Sequence, residues 1–276
     1  MKHTRTKTNE LTRHMRLFSV LLGAVFVLIL GLSAPLSWGS SHWDGHHDNG
    51  EEMPFADAEL YFELNNTDGD LGIHSLIDGE PWKRLRIEDP RERLMLDIRV
   101  QGRLRRQGLT ELFFESAEPS FDELAPEKFF RRFPEGEYEI EGITLEGEEL
   151  ESIAELTHLL PAPPNNVKVN DSLAAVNCDA DSLPMVSAPV TISWDPVIQS
   201  HPDLGRTSES IEVDQYQVVV EEEVSGAVLS VDLPPTVTEL EIPAGFIALG
   251  DEFKFEILVR EESGNQTAVE SCFEVE

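Results

Sequence analysis

The chain has 276 residues, with 53 Asp and Glu against 21 Lys and Arg, and its formal net charge is −32 at pH 7. A surface this acidic should repel nucleic acid and anionic lipid, so neither is expected as the main partner. Hydrophobic residues make up 40% of the sequence, which is enough for packed cores and argues against wholesale disorder. A chain of this length is expected to form two domains behind any leader.

Residues 1–41 have the pattern of an export signal. Basic residues come first, an uncharged and mainly apolar run follows at 17–34, and small residues surround Trp38. The alternative is that residues 17–34 stay uncleaved and anchor the protein in the inner membrane. In either case the positive-inside rule sends the remainder out of the cytoplasm, so we expect a periplasmic or secreted protein.

Residues 42–57 are rich in His, Asp and Gly and are predicted to form a flexible spacer. A first domain follows at 58–160. Its alternating apolar residues and its Asp-Gly turns predict an antiparallel β-sandwich-like fold. The predicted strands are Ala58–Leu64, Leu94–Val100, Leu109–Phe114 and Glu137–Thr144.

One helix is expected to interrupt these strands, at Ser120–Phe133, where aromatic and aliphatic residues recur at helical spacing. Ser120 is the predicted N-cap and Glu123 its capping-box partner. A tight turn is predicted at Asp78-Gly79.

This first domain resembles uncharacterised bacterial exported proteins.

The stretch from Pro161 to Pro164 breaks any regular element and marks the predicted domain boundary. Beyond it the sequence alternates between strand patterns and turns. The clearest patterns are Thr191–Pro196, Asp214–Val220, Thr238–Pro243, Phe253–Val259 and Ser263–Thr267.

These segments resemble the second, third, fifth and sixth strands and the final hairpin of a fibronectin type III domain. The resemblance implies that residues 161–276 form an Ig-like β-sandwich, with Trp194 in its core. Two departures stand out. Phe253 replaces the tyrosine of the tyrosine corner, and Ile198–Ile211 is a long insertion. The predicted fold class is therefore mainly β, with two sandwich domains and one short helix.

Two cysteines occur, Cys178 and Cys272, and both lie in the second domain. In an oxidising compartment such a pair is most simply one disulfide, which would tie the start of this domain to its last strand. The alternative is two buried free thiols, because a CxxC redox or zinc motif is absent from the sequence.

Three oxygen-bearing residues in a glycine-rich turn, Asn66, Asp68 and Asp70, are the predicted metal ligands, because hard oxygen donors at alternate positions suit calcium. The turn lies close to Glu63. The competing interpretation is an Asx-rich turn that joins two strands without a metal. No other cofactor is expected.

Two further sets of charged residues suggest possible functions. Glu115 and Glu118 could act as the paired carboxylates of a glycoside hydrolase, although acids cluster by chance in so acidic a chain. Basic residues concentrate between Lys83 and Arg106, and this island is predicted either to face an anion or to pair with acids on neighbouring strands. The predicted anion-facing side chains are Arg99, Arg103, Arg105 and Arg106.

His74, His158 and His201 are isolated in sequence and are predicted to be ordinary surface or core residues. No catalytic residue is assigned. The leading hypothesis is an exported, non-catalytic binding or structural module whose partner is an unknown protein or glycan outside the cytoplasm. The alternative is an extracytoplasmic hydrolase or its carbohydrate-binding accessory subunit. Contact with a membrane is expected only through residues 17–34, if they are uncleaved.

Overall fold

The structure is a computed structural model and describes residues 53–276. The predicted signal or anchor and most of the predicted spacer lie outside this range. Strands dominate the described part of the chain, as the sequence predicts, and the mainly β fold class is confirmed. Within residues 53–276 no helix has the length and apolarity needed to span a bilayer.

The N-terminal half contains the four strands that alternation predicted and two that it did not. The missed strands are the long β2 and the last strand, β6. The full set is β1 (Asp57–Asn65), β2 (Asp70–Glu88), β3 (Leu94–Arg99), β4 (Leu109–Glu115), β5 (Gly136–Thr144) and β6 (Glu149–Leu156).

Strand β2 pairs with different neighbours along its length. Its first part lies between β1 and β4, and its second part lies between β3 and β5. The ladder shifts register between Asp78 and Trp82, where Gly79 and Pro81 weaken regular pairing. The turn predicted at Asp78-Gly79 is therefore wrong, because the chain continues through this point as one strand.

The predicted helix is shorter than expected. Helix α1 runs over Pro126–Arg132, and its N-cap is Ala125, which makes no side-chain capping hydrogen bond. The capping box at Ser120 is wrong, because a residue before proline avoids the helical region and Pro126 suits the first helical position. The Ser120 carbonyl instead accepts hydrogen bonds from the N–H groups of Glu123 and Leu124 in a separate turn.

The C-terminal half is built from β7 to β15 and one further short helix, α2 (Ala244–Ile247). The strands are β7 (Lys168–Val169), β8 (Ser172–Leu173), β9 (Met185–Val186), β10 (Val190–Ser193), β11 (Val213–Glu222), β12 (Ala227–Leu233), β13 (Glu239–Ile242), β14 (Glu252–Glu261) and β15 (Gln266–Val275).

These strands form two facing layers. One layer has the order β13-β10-β7-β8, and the other has β12-β11-β14-β15. Residues from both layers share one hydrophobic cluster, in which Trp194 packs edge-on against Tyr216 at a ring-centroid distance of 5.3 Å. Phe253 stacks on Phe273 at 5.2 Å instead of making the hydrogen bond of a tyrosine corner.

The two halves share a β-sheet. Strand β1 pairs in parallel with β15, with Glu63 opposite Gln266 and Asn65 opposite Ala268. In the described part of the chain this joins the strands into one 11-stranded sheet. A separate hydrophobic cluster lies on each side of the junction. The boundary at Pro161 stays a prediction.

Candidate functional site

A cavity of about 410 Å³ opens in the basic island of the N-terminal half. Strand pairing creates it, because Arg84 on β2 lies directly opposite Arg99 on β3. The chain then turns through Gly102, whose φ of 64° favours glycine, and enters a short 3-10 helix, Leu104–Arg106. The cationic side chains that line the cavity are Lys83, Arg84, Arg99 and Arg105.

Some of these cations are already paired with acids. Asp97 lies 3.2 Å from Nε of Arg84 and 3.2 Å from an Nη atom of Arg99, and the hydrogen bond from Arg84 lowers the pKa of the Asp97 carboxyl. In the same island, Arg86 pairs with Glu88. Pairing with neighbouring acids, the competing interpretation of this island, therefore accounts for part of it.

Lys83 and Arg93 are also bonded, but three other arginines of the island are free. Arg103, Arg105 and Arg106 are exposed, and none of them has an ion-pair or hydrogen-bond partner through its side chain among residues 53–276. Three unpaired guanidinium groups on a chain of charge −32 are unusual, because acids are plentiful. This surface can contact an anion without first breaking an internal ion pair.

A second cluster lies where β1 and β2 meet the segment after β4. His74 is almost fully buried, at 3% exposure. Its Nε2 atom lies 3.1 Å from Oε1 of Glu118, and its Nδ1 atom lies 3.7 Å from Oε2 of Glu63. One potential ligand atom from each of these three residues lies within 4.8 Å of the others.

Further carboxylates surround this trio. Glu270 on β15 lies opposite Glu256 on β14, and Lys254 Nζ contacts Glu270 at 2.7 Å. Glu256 is only 7% exposed. Strand alternation explains its position: Phe255 and Ile257 enter the C-terminal core, so Glu256 lies on the opposite face of the sheet.

Burial and mutual repulsion change the pKa values in this cluster. Burial, followed by the charge of Glu118, raises the pKa of Glu63 and of Asp70 to about 7 each, although His74 partly opposes the effect at Glu63. Burial and then the charge of Glu63 raise the pKa of Glu256 well above its usual range. These carboxyl groups therefore take up protons more readily than carboxyls in water do.

The pKa of His74 rises for a different reason. Burial alone would lower it, but the hydrogen bond with Glu118 and the charge of Glu63 outweigh that effect. The sequence interpretation of His74 as an ordinary isolated histidine is therefore incomplete, because the fold places it between two carboxylates.

The predicted calcium ligands lie at the edge of this cluster and not at its centre. Asn66 and Asp68 are exposed, and Oδ1 of Asn66 contacts Nε2 of His201 at 3.1 Å. Oδ1 of Asn65 accepts hydrogen bonds from the N–H groups of Thr67 and Asp68, which is Asx-turn geometry. Calcium binding here stays a prediction.

The disulfide between Cys178 and Cys272 is present, with Cα atoms 5.0 Å apart. It ties the segment between β8 and β9 to β15, because Cys272 lies within that strand. Ser271 donates a hydrogen bond to the carbonyl of Ala175 beside it. The start of the C-terminal half is thus attached covalently to its last strand.

The sequence pointed to members of the acidic cluster separately but did not predict that they lie close together. Glu63 and Glu118 belonged to different sequence groups, and Glu256 was only an outward position on a strand. The register of β1, β2 and β14 joins them. The one available signal was Glu256 itself, a charged residue amid the apolar run of β14.

No family model matches the chain, and no curated protein matches it. Solved structures do. A two-domain fibronectin type III segment of chicken tenascin is 12% identical, covers 82% of this chain and 99% of its own, and has a TM-score of 0.27. The FN1–FN3 domains of chicken CNTN1 are 10% identical, and the match covers 82% of this chain and 65% of theirs with a TM-score of 0.32. A tetra-tandem repeat from a large adhesion protein is 11% identical, and the match covers 80% of this chain and 50% of that structure with a TM-score of 0.26.

Because these TM-scores are low, the assignment rests on the layers described above. One layer contains β7, β10 and β13, extended at its edge by the two-residue strand β8, and the other contains β11, β12, β14 and β15. This is the fibronectin type III arrangement, and the C-terminal half has that fold. The fold by itself does not determine a function.

Proposed function

We propose that this protein is an exported, non-catalytic binding module that binds an anionic glycan through the basic concavity of its N-terminal half. The observation that carries the proposal is the set of exposed and unpaired guanidinium groups of Arg103, Arg105 and Arg106, of which Arg105 lines that cavity. Planar guanidinium groups suit carboxylate and sulfate oxygens, which they bind in bidentate geometry.

The net negative charge of the chain does not prevent an anionic glycan from contacting this basic surface at short range. A net charge of −32 repels a polyanion at long range, but this repulsion is screened beyond about 8 Å at physiological ionic strength. An anionic chain lying in the concavity would then meet mainly nearby cations. The C-terminal half would act as a spacer or docking surface, joined rigidly to the N-terminal half through the shared sheet.

Export is part of the same proposal. The N-terminal sequence has the pattern of an export signal, and the Cys178–Cys272 disulfide suits an oxidising compartment. Fractionation of the source cells tests it. Recovery of the full chain from the cytoplasm with reduced cysteines would count against export.

The binding test uses the full chain and heparin oligosaccharides as a sulfated probe, followed by an array of uronic-acid and sulfated glycans. Replacing Arg103, Arg105 and Arg106 by Gln should weaken binding at least tenfold. The matched control replaces Lys128, Arg131 and Arg132, which are exposed cations in and at the end of α1. Equal losses in both variants would mean a general charge effect and would overturn the proposal, as would no binding at all.

The runner-up function is hydrolysis, and one observation favours it. Glu118 contacts His74, and burial raises the pKa of neighbouring Glu115. A protonated carboxyl near an ionised one is the arrangement that glycosidases use. Glycan turnover that disappears in Glu115→Gln or Glu118→Gln would establish this function in place of the binding module.

A further inference from the structure

Glu256 is a buried carboxyl without a partner. Its side chain makes no hydrogen bond and no ion pair among residues 53–276, although it is only 7% exposed. A carboxylate buried in this way is costly, so such a group takes up a proton, pairs with a cation or coordinates a metal. The nearest cation along β14, Lys254, is bound to Glu270 instead.

The neighbours of Glu256 are mostly other acids. Glu63, Glu270 and Glu118 all act on its charge, and Lys254 is the one cation that opposes them. Glu63 and Glu118 in turn lie on either side of the His74 imidazole. One carboxylate oxygen of Glu63, one of Glu118 and one ring nitrogen of His74 therefore lie within 4.8 Å of one another, and Glu256 is close enough to feel the charge of both acids.

We propose that Glu63, His74 and Glu118 form a binding site for a divalent transition-metal cation, for which Zn²⁺ is the probe. The proposal does not depend on the glycan-binding function. Two carboxylates and one imidazole are a donor set that zinc accepts, with a fourth position left for water. A divalent cation would also offset the repulsion between these carboxylates and the neighbouring Glu256.

The His74 imidazole indicates which class of metal ion the site would bind. Calcium and magnesium take oxygen ligands, whereas a neutral histidine nitrogen suits zinc and the other late first-row metals. His74 is too buried to leave the cluster, and both of its ring nitrogens face carboxylates.

Gly72 keeps the site open. It lies on β2 opposite Glu63, and a Cβ atom at this position would collide with the Glu118 carboxylate. The missing side chain is what allows Glu118 to reach His74. Sequence gives no other reason for a glycine inside this strand, where glycine weakens pairing.

The test measures Zn²⁺ binding to the full chain after treatment with EDTA, by calorimetry and by the unfolding temperature. The histidines of the spacer could bind zinc independently, so His42, His46 and His47 are replaced by Ala in the background protein. We expect one Zn²⁺ per chain, a higher unfolding temperature, and a Co²⁺ complex with visible absorption. Mg²⁺ at equal concentration controls for screening by divalent ions.

Glu118→Gln should weaken Zn²⁺ binding at least tenfold, and Glu63→Gln should do the same. Glu241→Gln is the matched control, because it removes one exposed carboxylate and leaves the cluster intact. The proposal is overturned if Zn²⁺ binds Glu118→Gln as tightly as the background protein. It is also overturned if the background protein binds no Zn²⁺, or if Mg²⁺ gives the same unfolding shift.

Discussion

The side-chain amide of Asn265 hydrogen-bonds to the backbone of Phe62, 203 residues earlier in the chain. Its Oδ1 atom accepts the Phe62 N–H at 2.8 Å, and its Nδ2 atom donates to the carbonyls of Thr157 and Leu159 at 3.0 Å each. Asn265 is fully buried. One residue from the final hairpin of the sandwich thus satisfies polar groups at both ends of the N-terminal half.

Replacing Asn265 by Ala should lower the free energy of unfolding by about 2 to 4 kcal/mol. The change leaves the buried N–H of Phe62 and the Leu159 carbonyl without partners, at about 1 to 3 kcal/mol each. Urea unfolding measures the effect, with exposed Asn165→Ala as the control. An equal loss in the two variants would show that the buried amide does not hold the halves together.

Loss of the disulfide should destabilise the protein strongly. Cys178 and Cys272 are separated by 94 positions, and the chain-entropy model gives a loop of this size about 4 to 5 kcal/mol before strain. The double Ser variant should therefore unfold at much lower urea concentration than the oxidised protein. Reducing the native protein should give the same shift, and an unchanged midpoint would contradict the prediction.

The turn at Asp89 should make stability depend on acid pH. Asp89 accepts hydrogen bonds from the N–H groups of Arg91 and Arg93 and from the Arg93 guanidinium. Burial opposes these bonds, but together they lower the pKa of Asp89 below 3.8. A lowered folded pKa gives stability that is complete above the unfolded value and is lost as pH falls through the folded one.

Asp89→Asn should accordingly destabilise the protein at pH 7, by about 1.5 to 3 kcal/mol for lost hydrogen bonds to a charged group. The difference from the native protein should shrink below about pH 4, where the carboxyl takes up a proton. Chemical unfolding across this pH range measures it. Asp122→Asn, an exposed acid, should show no such pattern.

Gly72→Ala should weaken the proposed zinc site without removing a ligand. The added methyl group displaces Glu118 from His74, so we expect Zn²⁺ affinity to fall about tenfold or more. Gly245→Ala is a suitable control, because a Cβ atom there meets open space. Unchanged affinity in Gly72→Ala would show that Glu118 does not need its present position.

Calcium binding at the Asn66–Asp70 turn can be tested separately. Asp68 and Asp70 carry like charges close together, so a calcium ion should raise the unfolding temperature in millimolar calcium by binding the native state. Magnesium at the same concentration gives the contribution of screening. A calcium-specific shift should vanish in Asp68→Asn with Asp70→Asn, and equal shifts for both ions would leave an ordinary Asx turn.

Local patterns predicted the single strands well, because alternation of apolar residues depends only on which face of a strand is buried. They failed at β2, where Gly79 and Pro81 resemble a turn in sequence. In the structure, neighbours on both sides hold the chain extended through this point. Local sequence patterns also placed the start of α1 too early, at Ser120, although Pro126 was a strong local signal for the first helical position.

The sequence by itself determined the acidic charge and the mainly β class, because composition and short-range periodicity carry this information. Its resemblance to fibronectin type III domains implied the C-terminal sandwich with Trp194 in its core, and it left the two cysteines open between a disulfide and free thiols. Only the tertiary structure decided that β1 joins β15, that Cys178 bonds to Cys272, and that Glu63, His74 and Glu118 meet. Strand register between distant segments sets those contacts. Register depends on packing across the whole sheet and leaves no pattern within a short stretch of chain.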